Sequence, residues 1–232
     1  QTLNDNIRWF TPKILDKINQ VVYEARCSAI NETPNRIHAR CDSFVFETNV
    51  HFPTDLNLLW DAVRKTILFM KNLYEIYDVE GWRQWNHLYR KLKTLYRKCQ
   101  KRRENDRKST SCLNATTAYI EEASKIFNRA QETLNGLDEK KISNLHTHEI
   151  QYFIDQGLKQ IDQMFRRCIK NEKINHYEKI FSLFEPHTEW ISKGKAGVPQ
   201  ELGLRVCIVE SSDGFIMHHR VMQNEVDVDV AV

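Results

Sequence analysis

The hydrophobic and polar positions of this chain change their spacing several times along its length. Thr11 and Pro12 make a helix start, a capping hydroxyl followed by proline in the first turn, and apolar residues then recur at helical spacing. Residues 37–52 are instead rich in β-branched and aromatic side chains, as strands are. The pattern therefore predicts a first helix that ends within residues 31–35, followed by a strand.

The central part of the chain carries four apolar stripes with steps of three and four residues. The stripes occupy residues 56–77, 82–99, 120–134 and 150–168. Short polar or glycine-containing breaks separate them, and amphipathic helices joined in this way pack as an antiparallel bundle. We therefore expect a helical insertion similar to a four-helix bundle over residues 54–175.

Strand-like sequence returns near the end of the chain. Residues 202–210 alternate in polarity, and Asp213-Gly214 separates them from a second such run, 215–222, which is a strong hairpin signal. A lone strand near residue 45 is unstable in water, so it must pair with this hairpin. We predict an α/β fold, mostly α by content, in which the helical insertion interrupts a sheet of three strands. The predicted segments are an N-terminal helical segment (1–35), a first core strand (36–53), the insertion (54–175) and a continuation of the core with the hairpin (176–232).

Composition limits the class of protein. Hydrophobic residues make up 41% of the chain, enough for a buried core, and no apolar run approaches the roughly 18 residues that cross a bilayer. The N-terminus does not resemble a signal peptide, and the six cysteines contain no C-x-x-C pair typical of zinc sites. We therefore expect a cytoplasmic protein without a membrane partner. Because the chain begins at Gln1 and stops in an apolar stretch, we interpret it as a piece of a longer protein.

Asp42 is the residue that points most directly to chemistry. Aspartate is depleted in strands, yet Asp42 lies inside the first predicted strand. It is either a solvent-facing residue at a strand edge or a carboxylate that binds a divalent metal, since hard oxygen ligands hold Mg²⁺. Two such ions can activate the attacking oxygen and stabilise the leaving oxygen in phosphoryl transfer. Composition alone leaves both interpretations open.

Two blocks of sequence resemble one family and favour the metal-binding interpretation. Residues 41–55, CDSFVFETNVHFPTD, resemble the D-S/T-x-V-x-E-x-N-I/V-H-Y/F-P-T-D signature of bacterial insertion-sequence transposases of the DDE type. Residues 178–197, EKIFSLFEPHTEWISKGKAG, resemble a second block of that family. The resemblance implies a ribonuclease H-like catalytic core, with Asp42 as the first catalytic acidic residue and a ligand of Mg²⁺ or Mn²⁺. It also implies transposition in the bacterial cytoplasm, on transposon ends and target DNA, by a homo-oligomer assembled on DNA.

The other two acidic residues of such a site are expected further along the chain. In the family, the second Asp follows a three-strand meander and the Glu lies on a later helix, so both positions fall beyond Val232. Asp227 and Asp229 are weak substitutes, because an Asp before a helix is usually a cap or a first-turn charge. We therefore expect the 232-residue piece to bind Mg²⁺ or Mn²⁺ weakly and to cleave nothing.

Basic residues are the candidate DNA contacts. Cations crowd the end of the second predicted helix, where they either neutralise phosphates or form an ordinary solvated face, while the aromatic residues of that helix are expected in the core. Two lysines flank a glycine in the loop before the hairpin, and a histidine lies in the second family-like block. The predicted DNA-binding residues are Lys193, Lys195, His187, Arg97, Lys98, Lys101, Arg102 and Arg103.

The sequence thus predicts a fragment of a DNA transposase that cuts and joins DNA by metal-assisted phosphoryl transfer. Two other functions stay open: a metal-dependent nuclease without strand transfer, and a non-catalytic helical module that binds protein partners, in which Asp42 is structural. Joining of DNA ends distinguishes the transposase from the nuclease. DNA binding that weakens with salt distinguishes it from the protein-binding module.

Overall fold

The structure is a computed structural model in which the chain divides into two compact units. We call residues 1–49 and 187–232 the sheet unit, and residues 50–186 the helical unit. The predicted insertion, residues 54–175, lies within the helical unit. The structure describes residues 7, 9–29, 38–105, 109–137, 144–192, 199–223 and 225, with the backbone alone for 103–105 and 144–146.

The sheet unit contains one helix and an antiparallel sheet of four strands among its described residues. The longest strand, β3, lies at the centre, with β1 along one edge and both β2 and β4 along the other. The helix, α1, lies beside β4, where Asp16 Oδ1 is 3.2 Å from His218 Nδ1. The elements are α1 (Pro12–Ala29), β1 (Ala39–Glu47), β2 (Glu189–Ser192), β3 (Gln200–Ser211) and β4 (Ile216–Met222).

The register of β1 on β3 confirms the predicted pairing of residues 39–47 with the hairpin. The pairing runs from Glu47 opposite Gly203 to Ala39 opposite Ser211. The hairpin between β3 and β4 turns at Gly214, whose φ of 84° lies in the region that glycine adopts without a steric penalty. A strand and a hairpin more than 150 residues apart in the sequence therefore form one sheet.

The prediction of three strands is wrong, because the described sheet has a fourth, β2. This strand is only four residues long, and its pairing starts with Glu189 opposite Gly203. Its partners are the first residues of β3, which extend beyond the end of β4 along the edge that β2 and β4 share. Four residues are too few to show the alternation of polar and apolar positions that predicts a strand. The segment becomes a strand because it pairs with the free edge of β3.

The helical unit contains the four predicted helices, and they pack around one hydrophobic core. Two of the helices begin at hydroxyl caps, because Thr54 Oγ1 accepts a hydrogen bond from Asn57 N and Ser109 Oγ accepts one from Cys112 N. No described helix has the length and apolar character needed to cross a membrane. The helices are α2 (Asp55–Tyr77), α3 (Trp85–Asn105), α4 (Thr110–Asn135) and α5 (Asn144–Cys168).

Candidate functional site

Asp42 lies in the middle of β1, opposite Ile208 of β3, and its side chain is exposed. Strand alternation places it on the same face as Phe44 and Phe46, which are 42% and 65% exposed. The carboxylate is therefore accessible to a ligand and is not a buried structural group. Its Oδ1 accepts a hydrogen bond of 2.9 Å from the backbone N–H of Ser43, which orients the side chain.

An ion pair lies next to Asp42 on the same face. Arg40 donates from Nε and from one terminal nitrogen to Glu210 Oε2, at 3.0 and 2.7 Å. The pKa of Arg40 is raised, chiefly by the hydrogen bond and the attraction of Glu210, and also by the negative charge of Asp42. Because Arg40 is exposed, this pair is worth little in stability. It does place one cation within electrostatic range of the Asp42 carboxylate.

The described residues do not by themselves fit a two-metal site. Among them, no group of three or more His, Cys, Asp or Glu side chains lies close enough to hold a metal ion. Glu210, which shares the Asp42 face, is engaged by Arg40. A single carboxylate leaves most of the Mg²⁺ shell to water, so tight binding needs further ligands. Asp227 and Asp229 lie outside the described residues.

His187 is not brought next to Asp42. It is half-buried and lies two residues before β2, whose first residue is opposite Gly203. Asp42 is opposite Ile208, five residues further along β3, which corresponds to about 17 Å along the strand. A role for His187 in DNA binding would therefore be at a distance from the candidate catalytic residue. Lys193 and Lys195, the other predicted contacts of this loop, lie outside the described residues.

The predicted cationic cluster is on α3 in the helical unit. Arg97, Lys98, Lys101 and Arg102 are exposed, as is Arg90, which lies two turns before Arg97. None of these five forms an ion pair with a described carboxylate. By contrast, Lys91 Nζ lies 2.7 Å from Glu122. Helical spacing places Arg90, Arg97 and Lys101 on one face, so the helix presents a row of positive charge that no described carboxylate pairs with. The side chain of Arg103 lies outside the described part of the chain.

The aromatic residues near this cluster belong to the core, as the sequence indicates. Trp82 is fully buried and donates from Nε1 to Thr133 Oγ1 at 2.9 Å. Tyr96 stacks on Trp60 with 5.2 Å between ring centroids. Trp82 lies before α3 and not within it, because the helix begins at Trp85, after a turn in which Gly81 has a φ of 83°. These rings pack in or against the core and hold the helices together.

A polar cluster around the buried Asp61 in the helical unit was not anticipated from the sequence. Asp61 is 7% exposed, and its carboxylate lies 3.3 Å from His51 Nε2 and 3.4 Å from a terminal nitrogen of Arg64. Burial raises the pKa of Asp61, and the charges of His51 and Arg64 partly oppose that rise. His51 belongs to the first family-like block, and its contact with Asp61 links that block to the second turn of α2.

Comparison of the chain with models of known protein families, with curated proteins and with solved structures finds no match. The features that indicate a function are an exposed carboxylate in the middle of an edge strand, and a row of cations on a helix that has no acidic partner among the described residues.

Proposed function

We propose that this chain is part of a DNA transposase of the DDE type, in which Asp42 is the first catalytic carboxylate. The observation that carries the proposal is the position of Asp42. The residue that begins the family-like signature is also an exposed acidic residue in the middle of a strand, where aspartate is otherwise disfavoured. The reaction is metal-assisted phosphoryl transfer that cuts DNA and joins the freed 3′ hydroxyl to target DNA.

The sheet is compatible with such a core. The strands β1, β3 and β4 are antiparallel neighbours, and β1 lies at the edge with one side unpaired among the described strands. A further strand added along that edge would place its side chains about 5 Å from those of β1. A second carboxylate on such a strand would lie beside Asp42, which is the arrangement that a shared metal site requires.

The cations of α3 support a nucleic-acid substrate. Arg90, Arg97 and Lys101 share one exposed face and are not neutralised by described carboxylates. Such a row attracts the phosphate backbone irrespective of base sequence. It would therefore contribute affinity for transposon ends and target DNA alike, while selection of the ends needs contacts to base edges.

The test is the substitution Asp42→Asn in a full-length transposase that contains this chain. The amide is nearly isosteric with the carboxylate and lacks its charge, so the fold should persist while metal-dependent cutting and joining of transposon-end DNA are abolished. DNA binding should be unchanged or slightly tighter, because one negative charge near the phosphates is removed. Glu24→Gln, which neutralises an exposed carboxylate of α1, is the matched control and should leave cutting intact.

Two outcomes of this experiment would contradict the proposal. Cutting by the Asp42→Asn protein at the rate of the wild type would exclude Asp42 from the active site. Cutting by the wild type without any joining would identify a nuclease instead of a transposase. Loss of DNA binding together with cutting would indicate that the substitution had unfolded the protein, which circular dichroism detects independently.

A further inference from the structure

Two cysteines meet between β1 and β3 on the face opposite to Asp42. The sulfur atoms of Cys41 and Cys207 are 3.0 Å apart, and both residues carry thiols. They lie diagonally across the strand pair, because Cys41 is opposite Val209 and Cys207 is opposite Ser43. The other four cysteines are on α1, α3, α4 and α5, so this strand pair is the place where two cysteines are shown in contact within the described chain.

The two thiols differ in access to solvent. Cys41 is exposed on the edge strand, whereas Cys207 is only 4% exposed on the central strand. A soluble oxidant can therefore reach Cys41 first, and the Cys41 sulfur then has a second sulfur already within contact distance. This combination, an accessible thiol beside a resolving thiol, is the arrangement found at redox-sensitive cysteines.

A positive charge lies close to the buried member of the pair. Arg220 on β4 is the register partner of Cys207, and its guanidinium also binds Glu225 through hydrogen bonds of 3.0 and 2.6 Å. The Arg220 guanidinium therefore interacts electrostatically with the Cys207 side chain.

We propose that Cys41 and Cys207 form a reversible redox site that closes to a disulfide when the protein meets a peroxide. The Cys41 thiolate attacks one oxygen of the peroxide, breaks the O–O bond and becomes a sulfenic acid, while the other oxygen leaves as hydroxide. The Cys207 thiolate then attacks the Cys41 sulfur, and the sulfenic oxygen leaves with a proton as water. In total, two thiols and one hydrogen peroxide give one disulfide and two waters.

The diagonal position of Cys41 and Cys207 accounts for the reversibility of the proposed disulfide. Diagonal neighbours in an antiparallel pair are about 7–8 Å apart between Cα atoms, whereas disulfides usually span about 4.4–6.8 Å. Closing the bond therefore draws β1 and β3 together locally, and a disulfide formed under such tension is easily reduced. The site thus suits a reducing compartment, where a thiol such as glutathione restores both cysteines. It does not depend on the proposed function.

The experiment treats the reduced protein with hydrogen peroxide, alkylates the remaining thiols and maps the peptides by mass spectrometry without reduction. We expect a monomer in which one peptide pair is linked through Cys41 and Cys207 and the other four cysteines are alkylated. Reduced glutathione should then return both thiols. Cys41→Ser should abolish the linked pair, whereas Cys168→Ser, which removes the half-buried cysteine of α5, should leave it unchanged.

The wild-type peptide map decides the proposal even where a variant folds poorly. Oxidation of Cys41 without a linked partner, linkage of Cys41 to any cysteine other than Cys207, or a bond formed between two chains would overturn it. A Cys41–Cys207 bond that survives an excess of reduced glutathione would overturn the reversible switch.

Discussion

Asp61 shows at the scale of one residue how burial and charge compete. Its carboxylate is nearly inaccessible, and burial raises its pKa above the usual value of 3.8 although His51 and Arg64 lie within 3.4 Å. The folded protein therefore binds more protons than the unfolded chain between the usual and the raised pKa. In that window the free energy of unfolding falls as the pH rises.

The pH dependence of Asp61→Asn tests this competition. The amide does not titrate, so we expect the wild type to lose stability relative to the Asn variant as the pH rises from 3.8 through the raised pKa. Urea unfolding at successive pH values measures the difference. Asp162→Asn, which neutralises an exposed carboxylate of α5, controls for the change in net charge. Stability curves for wild type and Asp61→Asn that stay parallel throughout would show that the Asp61 pKa is not raised by folding.

At the scale of an element, α3 combines two different surfaces. Its inner side carries Leu92 and Cys99, which are fully buried, and its outer side carries the cationic row. The row has the same sign along the helix and lacks described acidic partners. A solvated structural face gains little from such like charges, which repel one another at a spacing of one turn. Binding of an anionic ligand would stabilise these like charges on one face of the helix.

Removing two of these charges together, in Arg97→Ala and Lys101→Ala, should weaken DNA binding and flatten its dependence on salt. Each lost phosphate contact reduces the slope of log K against log salt by about 0.9, so the expected change is up to about two. A binding titration at several salt concentrations measures the slope. The control replaces Lys125 and Lys159, exposed lysines of α4 and α5, and changes the net charge equally. Equal slopes for the two double variants would show that α3 does not contact phosphates.

At the scale of the molecule, each unit contains a glycine at a close contact: a contact between two helices in the helical unit, and a contact between two strands in the sheet unit. In the helical unit, α5 approaches α4 so closely at Gly157 that a Cβ there would overlap the Phe127 ring. In the sheet unit, a Cβ on Gly203 would overlap the backbone carbonyl of Phe46 across the β1–β3 pair. Each glycine therefore lies at a contact that holds its own unit together.

The substitutions Gly157→Ala and Gly203→Ala should destabilise different parts of the molecule. Overpacking of this kind costs about 1–3 kcal/mol. We expect Gly157→Ala to speed hydrogen exchange within residues 50–186, and Gly203→Ala to speed it in β1 and β3, because the contacts divide into two compact units. Exchange measured by mass spectrometry on peptides resolves the two patterns. Identical patterns for both variants would mean that the chain unfolds as one cooperative unit.

Local chemistry in the sequence determined the helices and the main strands. The cap at Thr11, the apolar stripes and the Asp-Gly turn are short-range signals, and each produced the element that it predicts. The pairing of β1 with the hairpin was also predictable, because a strand without a neighbour cannot satisfy its backbone hydrogen bonds in a folded core. The interpretation of Asp42 came from the sequence pattern too, and remains a prediction until its chemistry is measured.

Only the tertiary structure decided which distant side chains meet. Strand β2 exists because β3 extends past the end of β4, and the cluster around Asp61 exists because the chain before α2 returns His51 to that helix. Contact between Cys41 and Cys207 depends on the register of strands far apart in sequence, and a shift of one residue would move either cysteine to the other face. Such contacts depend on long-range pairing and packing, which the period of a local sequence does not encode.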